Sequence, residues 1–383
     1  MRYRDFAGVL MLTLAIVQAS ISRADVITGP NLEMSKVGEL MRSIYPMIIR
    51  PSTELTKSQV SSLKQNVASI ASHVENTNKQ KANQSDTFKL SMQTMLEHLS
   101  SAQKALDENN VRYAQGLLRS ATTLCSACHT QDGRGRIFTK DTLAATFKNP
   151  LDSADYYYMT RNYDEAAAIY QQYIGEQKNI VWSVDSINAL ERTLVIYLQI
   201  RRAPIAAEKY FKSLLAEKKL DKSIEIDVNE WVKGLNVMQQ DKLVSYGSDF
   251  DTLNRYMSSY ILSKDEADLF MILSEEQRVV GLWIKGLLHD YLNAQPSQEQ
   301  IPVVLFWLAT IDRSLQYSLH YSLADLYLKQ CIQGYTQHPY AKKCFNLYKE
   351  YTYFSFTGSG GTELPDSVED ELYQLEQLLN KKG

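Results

Sequence analysis

Between Val37 and Ile48 the apolar residues fall at Val37, Leu40, Met41, Ile44, Tyr45 and Ile48. Steps of three and four place them on one stripe of an α-helix and would scatter them over both faces of a strand. The pattern recurs three times before residue 130, and no other feature limits the fold so strongly. The first stripe stops at Pro51, which cannot extend a helical ladder. A second, with Val60, Leu63, Val67, Ile70, Ala71 and Val74, follows Thr56, a good N-cap. A third holds Phe88, Leu90, Met92, Met95, Leu96 and Leu99, and Asp107-Glu108-Asn109-Asn110 breaks it. The fourth carries Val111, Ala114, Leu117, Leu118, Ala121, Leu124, Cys125 and Cys128, then dissolves in the polar DGRGR run. The polar run Glu75 to Ser85 reads as the loop between the second and third. Four such helices predict an up-down bundle of about 100 residues.

The rest of the chain also reads as helical, because Pro and Gly are scarce (9 and 16 of 383) while good helix formers dominate. Its pattern differs. Asp155 to Ile174 places Tyr158, Tyr163, Ala166, Tyr170 and Tyr173 at interlocking positions that resemble a tetratricopeptide repeat. Leu194 to Leu215 repeats the idea with Tyr197, Ala206 and Tyr210, and Leu323 to Tyr351 is a third candidate. The spacing between these units is irregular. The expected fold class is all-α: a four-helix bundle over residues 25–136, followed by an α-solenoid-like helical-repeat domain over 137–383.

Residues 1–24 read as a signal peptide. Arg2 and Arg4 precede the apolar run Phe6 to Val17, and Ser22-Arg23-Ala24 offers a small-x-small exit. The apolar run is shorter than the about 20 residues a bilayer span needs. An exported, periplasmic protein without a stable membrane span is expected. Residues 25–136 hold 13 Lys and Arg against 10 Asp and Glu, and residues 137–383 hold 25 against 33. Neither balance is basic enough to imply nucleic-acid binding.

Within that frame stands Cys125-Ser126-Ala127-Cys128-His129. A zinc site would need a second cysteine pair or a matched histidine pair at standard spacing, and the other cysteines, Cys331 and Cys344, lie more than 200 residues away. A thioredoxin-like redox pair would need a βαβ context that the helical pattern lacks. Export, CxxCH and four amphipathic helices converge on one covalently attached haem c. Cys125 and Cys128 would form the thioethers and His129 would supply the proximal iron ligand.

A CxxCH at the end of the fourth helix of a small bundle resembles the class II cytochromes c, the cytochrome c prime group, over about residues 30–136. The stretch VGELMRSIYPMIIRPS is also similar to the first helix of six-coordinate members, in which a Met is the distal ligand. Met41 lies on the apolar stripe and is the candidate distal ligand; core packing is the other reading of the same position. Met34 and Met47 are weaker candidates, and His73 and His98 are expected on exposed flanks. The resemblance implies electron transfer with redox partner proteins, and the repeat-like helices imply a protein partner of their own. The alternatives are five-coordinate haem that binds nitric oxide or carbon monoxide, and a periplasmic scaffold with structural haem.

Cys331 and Cys344 flank a break at His338-Pro339, so two antiparallel helices would bring them together, and an oxidising compartment favours a disulfide. The glycine-rich run TGSGGTELP (Thr357 to Pro365) lacks the Lys-Ser/Thr of a phosphate-binding loop. It reads as a flexible turn before a last helix, Asp366 to Asn380. No catalytic constellation appears in the sequence, so no enzyme activity is expected.

Overall fold

The structure is a computed structural model that describes residues 30–80, 86–131, 144–241, 249–262, 273–294, 296–315 and 322–380. The signal-peptide expectation, the DGRGR run and the boundary expected between 136 and 137 lie outside the described residues. What is described is all-α apart from one small hairpin.

Helices α1 (Pro30–Ile49), α2 (Lys57–Gln80), α3 (Asp86–Asp107) and α4 (Val111–Gln131) follow the four apolar stripes. Each packs on the next, and α4 packs back on α1. Val37, Met41, Ile44, Tyr45 and Ile48 of α1 are buried, as are Leu63, Val67, Ile70 and Val74 of α2. Proline opens α1 at its first helical position, where a missing N–H costs nothing. Thr56 and Gln59 form a reciprocal cap: the Gln59 N–H donates to Thr56 Oγ1 at 3.2 Å and the Thr56 N–H to Gln59 Oε1 at 2.9 Å. Such a cap is worth about 1 kcal/mol. Between α3 and α4, Asn109 takes a left-handed φ of 58° and the Asn110 N–H donates to the Ala105 carbonyl at 2.8 Å, a Schellman stop.

One boundary differs from expectation. The polar run expected as a loop from Glu75 is helical to Gln80. Thr77 is fully buried with its hydroxyl on the His73 carbonyl at 2.9 Å, and Lys79 pairs with Glu75 at 2.7 Å. Asn, Gln and Lys are poor loop markers when such local partners exist.

Beyond residue 144 lie α5 (Pro150–Met159), α6 (Tyr163–Glu176), α7 (Val184–Val195) and α8 (Pro204–Ala216), then α9 (Lys222–Gln240), α10 (Phe250–Tyr256) and α11 (Glu275–Asn293). They are followed by α12 (Ile301–Ser314), α13 (Ala324–Gly334), α14 (Pro339–Ser355) and α15 (Asp366–Asn380). Single π-turns at Ile196–Ile200 and Met257–Ile261 extend α7 and α10. Sequence neighbours pack as pairs, α5 on α6, α8 on α9, α12 on α13 and α13 on α14. The expected aromatic interlock is present in the first pair, where the Tyr158 and Tyr163 rings meet edge to face at 5.3 Å and Ala166 is fully buried. In the second unit the buried small residue is Ala207, and Ala206 is exposed. The one-residue correction follows from Phe211, fully buried four residues after Ala207, which sets the inward face of α8.

Cys331 and Cys344, both fully buried, face each other across the α13–α14 turn with sulfurs 2.13 Å and Cα atoms 6.3 Å apart, a disulfide. The glycine-rich run is not an open turn. It forms a two-stranded antiparallel hairpin, β1 (Thr357–Gly358) with β2 (Gly361–Thr362), turning through Ser359-Gly360, with Gly361 opening β2 at φ +113°. The two threonine hydroxyls hydrogen-bond across it at 2.6 Å. Helix α5 lies against α1 and α4, and α13 lies against α3, so the later helices return to the first four at two places.

Candidate functional site

The three residues of the CxxCH motif that carry chemistry sit in the last turns of α4, at positions i, i+3 and i+4, and therefore on one face of the helix. Cys125 is half-buried, and its sulfur lies 3.7 Å from the sulfur of Met95 on α3. Met95 is buried. The side chains of Cys128 and His129 lie outside the described residues. Leu124, one residue before Cys125, is buried with Ala121 one turn back.

Tyr45 of α1 borders the same region. Burial, followed by the charges available to Cys125, Tyr156 and Tyr163, pushes its phenol far above the usual range, so it stays protonated. Its ring meets Tyr156 of α5 edge to face at 6.0 Å, and Tyr156 in turn meets Phe147 at 5.7 Å. The CxxCH end of α4 is thus close to both α1 and the first helix of the later group.

Met41 is buried on α1, one turn before Tyr45. Successive hairpin reversals leave α4 antiparallel to α1, and two side chains set their register. Gln115 Nε2 donates to the Met47 carbonyl at 2.7 Å and to the Arg50 carbonyl at 2.9 Å, and Arg119 Nη1 donates to the Ile48 carbonyl at 2.7 Å. From the Arg119–Ile48 contact, Cys125 is six residues along α4, about 9 Å, and Met41 is seven residues back along α1, about 10.5 Å. These contacts bring Met41 to within about one helical turn of the level of Cys125.

The remaining candidates fall elsewhere. Met34 is half-buried, and Met47 is buried near the far end of α1, well past the level of the motif. Neither His73 nor His98 is on an exposed flank. Both are half-buried and hydrogen-bonded, His73 Nδ1 to Glu33 Oε2 at 2.6 Å and His98 Nδ1 to the Thr94 carbonyl at 2.9 Å. One ring nitrogen of each is engaged, by Glu33 of α1 and by the preceding turn of α3, which helical spacing alone does not reveal. Met95, Gln115 and Arg119 are the residues that sequence reasoning missed as site residues. Met95 is one more apolar position on its stripe, and Gln115 and Arg119 look like ordinary polar residues of an amphipathic helix.

Two clusters of buried titratable groups lie among the later helices. Glu191 of α7 faces Arg278 Nη2 at 3.9 Å, while Arg278 also pairs with Glu275, whose other oxygen accepts the Trp231 indole N–H at 2.7 Å. Burial, only partly countered by Arg278, raises the Glu191 carboxyl to about 7. In the second cluster Asp312 accepts from Lys285, from the Leu323 N–H and from the Ser322 hydroxyl, which ties α11 and α12 to the start of α13. His289 beside it is pushed down to about 3, first by burial and then by Lys285, so it packs as a neutral ring 3.3 Å from the Tyr327 hydroxyl. Both clusters join helices.

No family model, curated protein or solved structure matches the chain. Among the described residues, no helix is long and apolar enough to cross a membrane.

Proposed function

We propose that this chain is an exported, periplasmic mono-haem c-type cytochrome that carries electrons. In this reading residues 25–136 are a four-helix bundle of the class II cytochrome c kind, and residues 137–383 are a tetratricopeptide-like solenoid for a protein partner. The observation that carries it is the CxxCH motif on the last turns of α4, with Cys125 set beside Met95. The donor chemistry fits haem c: two thiols one turn apart, an imidazole next in sequence, and thioethers on facing helices. Cys125 and Cys128 would hold the porphyrin, His129 would be the proximal iron ligand, and Met41 is the candidate distal ligand. Haem c bound there supplies a one-electron iron couple whose potential rises with a thioether donor.

The chain's own residues then do three things. Cys125 and Cys128 anchor the cofactor to a single helix face, so its orientation follows α4. Met95, Leu124 and Tyr45 wall that region with buried, uncharged groups, which excludes water and favours the less charged iron state. The antiparallel pairs with left-handed turns at Arg161, Arg202 and Lys218 support a stacked-hairpin architecture for the partner-binding half.

The test is the intact mass and visible spectrum of full-length protein matured in a periplasm competent for haem attachment. One added haem, lost in Cys125→Ala/Cys128→Ala, and a low-spin spectrum with the long-wavelength sulfur-to-iron charge-transfer band are expected. Wild-type protein that leaves such a host without haem would overturn the reading. A high-spin spectrum would move it to five-coordinate gas binding.

A further inference from the structure

We propose that Gln115 and Arg119 are positioning residues that fix the axial register of α1 against α4 and so hold Met41 near the level of Cys125. The inference rests on the haem reading only where it concerns the iron. The last carbonyls of a helix have no partner within it, and α1 carries no basic residue in its last turn to serve them. Here α4 serves them instead. Gln115, itself buried, places both N–H bonds of its amide on the Met47 and Arg50 carbonyls, and Arg119 takes the Ile48 carbonyl between them.

Apolar packing between two helices tolerates a slip, because ridges fit the next groove almost as well. Directed bonds do not, since a slip would leave a buried amide without acceptors. A slip of one turn moves Met41 by about 5.4 Å along the axis, out of reach of any iron held from the end of α4. Met95 reaches Cys125 from α3, a contact that does not involve α1.

The full chain, prepared without haem and labelled with 13C-methyl methionine, reads the register directly. Wild type is expected to show contacts from the Met41 methyl to the Ala121–Cys125 turn and from Met95 to Cys125. Gln115→Leu/Arg119→Met should lose the first set and keep the second, while Arg119→Lys, which retains a donor, should keep both. In the haem-loaded protein the same double variant should lose most of the charge-transfer band and show a lower reduction potential, with Arg119→Lys close to wild type. Should the double variant not fold, Gln115→Leu and Arg119→Met singly are expected to weaken the Met41 contacts. Met41 contacts that are absent in wild type, or unchanged in the folded variants, overturn the assignment. A Met41→Ala protein with an unaltered spectrum would instead remove Met41 as ligand, and the methyl contacts would still decide the register.

Discussion

Replacing Glu191 with Gln should make the protein more stable above neutral pH and leave it nearly unchanged in acid. Three helices bring carboxylates to one place, Glu191 from α7, Glu275 from α11 and Asp227 from α9, around the guanidinium of Arg278, with Arg192 a smaller favourable influence. Arg278 is already engaged by Glu275 and by the Leu315 carbonyl at 3.3 Å. Glu191 therefore gains too little to offset its burial, and its carboxyl titrates near 7 instead of 4.5. Below 4.5 both folded and unfolded chains hold the proton. Between 4.5 and 7 the unfolded chain releases it while the folded one keeps it, so stability falls with rising pH. At 1.36 kcal/mol per pKa unit the loss approaches about 3 kcal/mol by pH 8. Gln removes the titration but keeps the shape, so a gain of about 1 to 3 kcal/mol at pH 8 is expected, with little change at pH 4.5. Thermal midpoints of wild type and Glu191→Gln across that range measure it. A variant no more stable than wild type at pH 8, or a gain that does not vary with pH, would refute the argument that burial dominates at this carboxyl.

Met41→Ala should lower the reduction potential of the haem-loaded protein and let carbon monoxide bind; if Met41 only packs, the spectrum stays as it was and stability falls by about 2–5 kcal/mol. Visible spectra and denaturation curves read the two outcomes separately. Cys331→Ala/Cys344→Ala should cost about 3 kcal/mol in the chain-entropy model for a loop of this length. Non-reducing peptide mapping of the exported protein should recover the two cysteines joined, and recovery of both as free thiols would contradict the pairing.

Much of the helical layout was legible from local signals. The stop at Pro51, the cap at Thr56, the break at 107–110 and the last helix from Asp366 to Asn380 all depend on residues within a turn of one another. Where local signals misled, the reason was also specific. The run from Glu75 looks like a loop by composition, yet Thr77 is buried and bonded to its own helix. Ala206 looks equivalent to Ala166, but the inward face of α8 passes through Ala207 and Phe211. The glycine-rich run gave no alternation from which two strands of two residues could be read.

What the sequence determined by itself is the all-α class, several ends of the first four helices and of the last, and the motif on the last turns of α4, because periodicity, caps and breakers act over a few residues. Apolar burial is non-directional, so a stripe states which face turns inward and not what it meets. Three decisions therefore belong to the tertiary structure: Met95 against Cys125, Gln115 and Arg119 on the carbonyls of α1, and Arg278 among three carboxylates at Glu191. Each joins residues more than ten positions apart, and each depends on distance and direction that exist only after the helices have packed.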